Sequence, residues 1–232
     1  MPVALITGAS KGLGRALGAV LAESGWDLVV DARTEVVLHE AARELSGYGT
    51  RVEALPGDVT DAGHRADLVA AARRLGGLDL LVNNASALGA EPLVGLAGLA
   101  LDGLRSALET NVVAALGLVQ EALPLLRESA GAVIDVSSDA AVEAYATWGG
   151  YGASKAALDQ LSAVLAEEEP GIRVWAVDPG DMRTDLYRAA VPDDDPSGRP
   201  RPGSVAPALL RLLAERPASG RYTVSALSAG VL

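Results

Sequence analysis

The chain has 232 residues and carries 30 Asp and Glu against 19 Lys and Arg. The resulting net charge of −11 argues against nucleic acid or an anionic membrane as a partner. It has no cysteine, which excludes disulfides and thiolate metal sites. Half of its residues are hydrophobic and Phe is absent, so a large core is expected and must be aliphatic. No apolar run reaches the ~18 residues of a membrane span. The amino terminus runs straight into a strand without a signal peptide, and a cytoplasmic location is the expectation.

Strands and helices alternate with a period of ~30 residues, the pattern of a doubly wound parallel sheet. Val3-Ala-Leu-Ile6 reads as a short apolar strand, followed by a glycine-rich turn and a helix over residues 12–24. Asp27–Ala32 is the second strand, a helix runs to Ser46, and Arg51–Leu55 is the third. After the turn at Gly57-Asp58-Val59-Thr60 comes a helix over 62–75 and a fourth strand, Leu78–Val82. A long helix is expected over 99–127, with Pro124 bending or ending it in its last turns. Ala132–Val136 is the fifth strand, an Ala/Leu-rich helix covers 153–166 behind Gly149 and Gly150, and Gly171–Val177 is the sixth strand. Residues 191–207, rich in Pro, Asp and Gly, read as a mobile loop. A helix over 204–215 and a strand over 222–225 complete one domain spanning 1–232. His39 and His64 fall on helices far from the motifs described next and are expected to be surface residues; no metal site is expected.

Two stretches carry chemistry. In Thr7-Gly-Ala-Ser-Lys-Gly-Leu-Gly14, the glycines let the backbone turn tightly, and the helix that follows aims unpaired N–H groups and its positive dipole end at the turn, which suits a phosphate. In Tyr151-Gly-Ala-Ser-Lys155, residues four apart share a helix face, so the phenol and the ammonium stand one turn apart. A neighbouring ammonium favours the phenolate and would lower the tyrosine pKa toward the working range. The strand before this helix delivers Ser137 and Ser138 to its carboxyl end, where a hydroxyl could polarise a substrate oxygen. Gly8-Ala-Ser10-Lys-Gly12 also fits the nucleophile elbow of a serine hydrolase, but no histidine lies late in the chain at a strand end to serve it.

The glycine turn with Asn83-Asn-Ala85, Asn111, Ser138, Tyr151/Lys155 and Pro179-Gly180, in this order and spacing, resembles the short-chain dehydrogenase/reductase family over nearly the whole chain. That resemblance implies a Rossmann-type sheet and hydride transfer between a nicotinamide cofactor and a small-molecule carbonyl or alcohol. It implies Tyr151 as the acid or base, Ser138 holding the substrate oxygen, Lys155 binding the nicotinamide ribose, and Asn111 helping to hold a water beside the lysine. Gly8, Ser10, Lys11, Gly12, Leu13 and Gly14 would form the phosphate turn, with Asp58 and Val59 beside the adenine and Asn84 and Ala85 along the cofactor. Pro179, Gly180, Met182 and Thr184 would pack at the nicotinamide. Tyr145, Trp148 and Tyr187 are the side chains expected nearest the substrate, with Ser138. Ser86 departs from the glycine that commonly follows Asn-Asn-Ala in the family. The family also implies a homodimer or homotetramer, pairing the helix around Asn111 with the helix after Tyr151. A non-catalytic nucleotide-binding sensor on the same fold is the alternative, and would be expected to have a damaged catalytic set.

Cofactor choice turns on the end of the second strand. An acid there normally binds the adenosine ribose and selects NAD. Counted from Gly25, the family's selecting position aligns with Ala32, one residue past Asp31, and a one-residue offset turns a strand side chain to the other face. Arg33 and Lys11 resemble the basic positions of NADP-dependent members. NADP is therefore expected, with NAD as the alternative.

Overall fold

The computed structural model describes residues 1–230. Seven strands form one sheet: β1 (Val3–Ile6), β2 (Asp27–Ala32), β3 (Val52–Pro56), β4 (Leu80–Asn83), β5 (Ala132–Val136), β6 (Arg173–Asp178) and β7 (Gly220–Thr223). Their spatial order is β3-β2-β1-β4-β5-β6-β7, and every pair is parallel. This is the Rossmann-type doubly wound α/β sheet expected from the sequence.

Alternation along β1 divides the core. Ala4 and Ile6 pack under α1 (Gly12–Glu23), α2 (Glu35–Ser46) and α8 (Pro202–Glu215), whereas Val3 and Leu5 pack under α3 (Ala62–Leu75) and α5 (Ala114–Ser129). Both faces are thus covered, which is why β1, β2, β4 and β5 are buried at every residue. The chain order reverses between β1 and β4, and their carboxyl ends open the crevice in which doubly wound sheets bind ligands.

Several boundaries differ from expectation. The helix over 99–127 is α4 (Leu101–Leu108), a π-helical turn (Glu109–Val113) and α5, which runs past Pro124 to Ser129. Pro124 is exposed, so the carbonyl that loses its N–H partner is solvated and the helix continues. The helix bearing Tyr151 is α6 (Gly149–Glu168), so the two glycines expected to loosen the chain form its first turn. The expected mobile loop is shorter: α7 (Asp185–Ala190) precedes it, a 3-10 turn occupies Pro196–Gly198, and α8 starts at Pro202, where a proline suits the first helical turn. The last strand is Gly220–Thr223, and Thr223 then caps a further helix, α9 (Val224–Ala229), by accepting from Ala226 N at 3.2 Å. No helix among the described residues is long and apolar enough to cross a membrane.

Candidate active site

The turn after β1 needs its glycines. Gly8 and Gly12 adopt φ of 64° and 60°, and a Cβ on Gly14 would stand 2.6 Å from Asn84 Nδ2 and 2.7 Å from the Gly8 carbonyl. Asn84 crosses from β4 to hold this turn: its Nδ2 donates to Thr7 O at 2.8 Å and Gly8 O at 3.1 Å, while the Asn84 and Ala85 N–H groups donate to Thr7 Oγ1 at 2.9 and 3.0 Å. Lys11 at the N-cap makes no side-chain cap, so the first N–H groups of α1 face a cleft of about 590 Å³ over the carboxyl ends of the strands.

Among the cofactor residues expected from sequence, all line this cleft except Gly14, which lies beneath the turn and lets Asn84 approach. Ser138, Trp148, Tyr151, Lys155 and Tyr187 also line it. Asn111 and Tyr145 do not. Asn111, 1% exposed within the π-helical turn, grips the loop after β4. Its Oδ1 accepts from Ala87 N at 2.8 Å, and its Nδ2 donates to Ala87 O at 2.9 Å and Ser154 Oγ at 2.8 Å. Tyr145 is 46% exposed and donates to Asp139 Oδ2 at 3.1 Å. Asp139 Oδ1 in turn accepts from Ser138 Oγ at 3.0 Å, so Asp139, which the sequence did not single out, orients the Ser138 hydroxyl.

Tyr151 lies in the first turn of α6, 6% exposed, edge-on to Trp148 with ring centroids 5.8 Å apart. Lys155 Nζ is 5.7 Å from the phenol ring centroid and donates to the Val136 carbonyl at 2.7 Å. The expected lowering of the tyrosine pKa is not what the free cleft does. Burial pushes the phenol up to about 12, and the carboxylates of Asp178, Asp139 and Asp181 add to that. Ser86 Oγ is buried without a hydrogen bond of good geometry, yet it lies close enough to the phenol to oppose the rise. Burial conversely lowers Lys155 to about 8, and Asp135 and Asp159 partly restore it. For groups this deep, desolvation outweighs the favourable effect expected of the neighbouring ammonium.

The end of the cleft beside β2 holds two surprises. Lys11 Nζ pairs with Asp185 across the cleft at 3.0 Å, both side chains more than half exposed. Arg33 is exposed at the rim beside Asp58, whose carboxyl is held low chiefly by the Thr60 N–H and also by the Arg33 charge. Asp31, 1% exposed, is turned under the glycine turn, its Oδ1 accepting from Gly8 N at 2.8 Å. His64 is not the remote surface residue expected. Its side chain is only 11% exposed and its Nε2 lies 3.2 Å from Asp31 Oδ2. A helix position gives no sign of such a reach; the glycine at 57 was the one available signal.

Known proteins share this arrangement. A model of the family described as short chain dehydrogenase matches residues 2–195. An uncharacterized oxidoreductase of Saccharomyces cerevisiae is 36% identical over 187 residues, covering 79% of this chain and 72% of the relative. A 3-oxoacyl-[acyl-carrier-protein] reductase of rhamnolipid biosynthesis in Pseudomonas aeruginosa is 36% identical over 199 residues, 80% of this chain and 75% of that protein. A solved structure described as a short chain dehydrogenase of Shigella flexneri 2a complexed with NADP superposes with a TM-score of 0.90 at 27% identity, covering 97% of each chain. The glycine turn, the Asn84 brace and the Tyr151/Lys155 turn on a seven-stranded parallel sheet define a nicotinamide-type oxidoreductase scaffold. The chain belongs to the short-chain dehydrogenase family.

Proposed function

We propose that this protein is an NADP-preferring oxidoreductase that reduces a small carbonyl compound, or oxidises the matching alcohol, with Tyr151 as its proton donor or acceptor. The observation that carries the reading is the convergence of Ser138, Tyr151 and Lys155 on one cleft whose other end is the glycine turn. The residues present fit a dinucleotide. Gly12 leaves open backbone at the cleft while Gly8 and Gly14 let the turn close on Asn84, and Arg33 stands exposed where a 2′-phosphate would be met.

The bound nicotinamide supplies the hydride; the protein places it and manages one proton. Ser138 Oγ turns its proton from Asp139 to the substrate oxygen. Tyr151, neutral because burial holds its pKa near 12, donates its proton to the same oxygen in the reductive direction. Lys155, anchored on Val136 O, stabilises the phenolate left behind and would bind the nicotinamide ribose. Asn111 fixes the Ala87 loop and Ser154, and so holds α6 at the height the proton relay needs. Trp148 and Tyr187 wall the substrate end, and the carboxylates of Asp139, Asp178 and Asp181 near the phenol favour an uncharged or cationic substrate over an anionic one.

The assembly in this reading is a homodimer or homotetramer. Val113 and Leu116 beside the π-helical turn and Val164 on α6 are 51%, 37% and 42% exposed, on the helices that the family pairs. The reading is tested by titrating NADPH and NADH into wild type and Arg33→Ala, then offering a panel of aldehydes and ketones. The expected result is tighter binding of NADPH, its loss in the variant by about tenfold or more, and turnover of at least one carbonyl. Cofactor binding with no turnover across the panel would favour the sensor alternative.

A further inference from the structure

The buried pair of Asp31 and His64 plays no part in the chemistry above, and its construction is specific. Asp31, the penultimate residue of β2, accepts from Ala9 N at 2.8 Å with its backbone carbonyl and from Gly8 N at 2.8 Å with its Oδ1. The carboxylate therefore supports the phosphate turn from beneath. His64, in the first turn of α3, reaches the second carboxylate oxygen across the backbone of Gly57. A Cβ at position 57 would overlap the imidazole, so glycine there is the gate through which the ring passes. Gly57 also lines the cleft, and its N–H donates to Ala32 O at 3.1 Å, so the ring is packed against a wall of the adenosine end.

We propose that His64 is a positioning residue for the dinucleotide: it holds the Asp31 carboxylate beneath Gly8 rather than out in the cleft, so that Arg33 meets the adenosine phosphate without a competing acid. The inference rests on the reading of the cleft as an NADP site. A carboxylate released at the end of β2 would accept from a ribose hydroxyl and repel a 2′-phosphate, the opposite selectivity.

The clasp also links cofactor affinity to pH. His64 is raised above its ordinary value, first by the hydrogen bond to Asp31, while burial raises Asp31. Holding one proton between them, the two are neutral as a pair, and its loss as pH rises takes the pair from zero to one negative charge, whichever residue held it. The other charges facing the pair are Asp58 on the turn after β3 and Asp61 and Asp67 on α3, with Arg33 against Asp58. The charge that changes beneath the phosphates in this proposal is that of the pair. Added negative charge there opposes an anionic ligand.

The test measures dissociation constants of NADP⁺ and NAD⁺ by calorimetry between about pH 6 and about pH 9, in buffers of differing ionisation enthalpy. Wild type, His64→Gln and His64→Leu are compared, with thermal melting as the folding control. Wild type should bind both dinucleotides about fivefold more weakly at the alkaline end, taking up a fraction of a proton on binding. His64→Gln keeps an amide donor for Asp31 but cannot titrate, so it should keep the wild-type NADP⁺ to NAD⁺ preference and lose the extra pH dependence and proton uptake. Both proteins see the same titration of the 2′-phosphate, so only their difference counts. His64→Leu frees Asp31 and should shift the preference toward NAD⁺ by roughly tenfold. If that variant does not fold, the His64→Gln profile decides alone. A His64→Gln profile superimposable on wild type, or an unchanged ratio in a folded His64→Leu, would overturn the proposal. Wild type binding NAD⁺ more tightly at every pH would overturn the cofactor preference and the proposed role of the clasp in it. The wild-type to His64→Gln difference would then speak only for the proton linkage.

Discussion

Burial moves the proton equilibria of Tyr151 and Lys155 in opposite directions, and that sets the expected pH behaviour. Tyr151, pushed up to about 12, stays protonated across any working pH, and Lys155, lowered to about 8, does not. In the proposed mechanism the ammonium stabilises the phenolate formed when Tyr151 gives up its proton. Carbonyl reduction should therefore be fastest below pH 8 and should fall as pH rises through the lysine value. A kcat/KM profile that stays flat well past that point would show that the Lys155 charge is not needed. The motif residues were legible because each obeys a local rule: glycine where φ is positive, and Tyr and Lys one helical turn apart. The direction of the tyrosine shift was not legible, since it depends on desolvation and on Asp139, Asp178 and Asp181, which the fold gathers from separate segments. His64 was missed for the same reason: its helix places it on the chain, and only the packing of α3 against Gly57 shows what it touches.

Among the elements, one exacting joint is the crossing of the β1 turn with β4. A Cβ on Gly14 would collide with the Asn84 amide and the Gly8 carbonyl, two groups already bonded to each other. Gly14→Ala should destabilise the protein by about 1–3 kcal/mol and weaken cofactor binding, read by thermal melting and by calorimetry. Unchanged melting would mean that the turn relaxes freely. A second tight joint lies at α6, where a Cβ on Gly152 would stand 2.5 Å from Ala140 O, two residues after Ser138. Gly152→Ala should cost stability in the same range and slow turnover more than it weakens cofactor binding, as separate kcat and cofactor titrations would report. Strands buried on both faces were legible as continuous apolar runs. Helix ends were less so: the π-helical turn at Asn111 arises because its amide is drawn into the Ala87 loop, a tertiary demand that no helical periodicity records.

At the scale of the whole molecule, the sheet order and its two covered faces followed from the alternation of elements, whereas assembly depends on surfaces that only the folded chain displays. Val113, Leu116 and Val164 stay exposed although their helices have buried faces elsewhere. Light scattering is expected to give a dimer or tetramer at micromolar concentration, with Val113→Asp and Leu116→Asp together lowering the mass to that of a monomer; a wild-type monomer would contradict the pairing. With a net charge of −11, an acidic protein that binds a phosphate would have to create its anion site locally, the role proposed for the exposed Arg33 at the cleft rim. The account as a whole stands on Tyr151 as the proton donor in a cleft that binds cofactor through other groups. The most direct measurement is single-turnover reduction of a confirmed carbonyl substrate by wild type and Tyr151→Phe, alongside NADPH titration of both. The account predicts a rate about a thousandfold lower in the variant with cofactor affinity within about twofold of wild type, and a variant that retains near-wild-type turnover would contradict it.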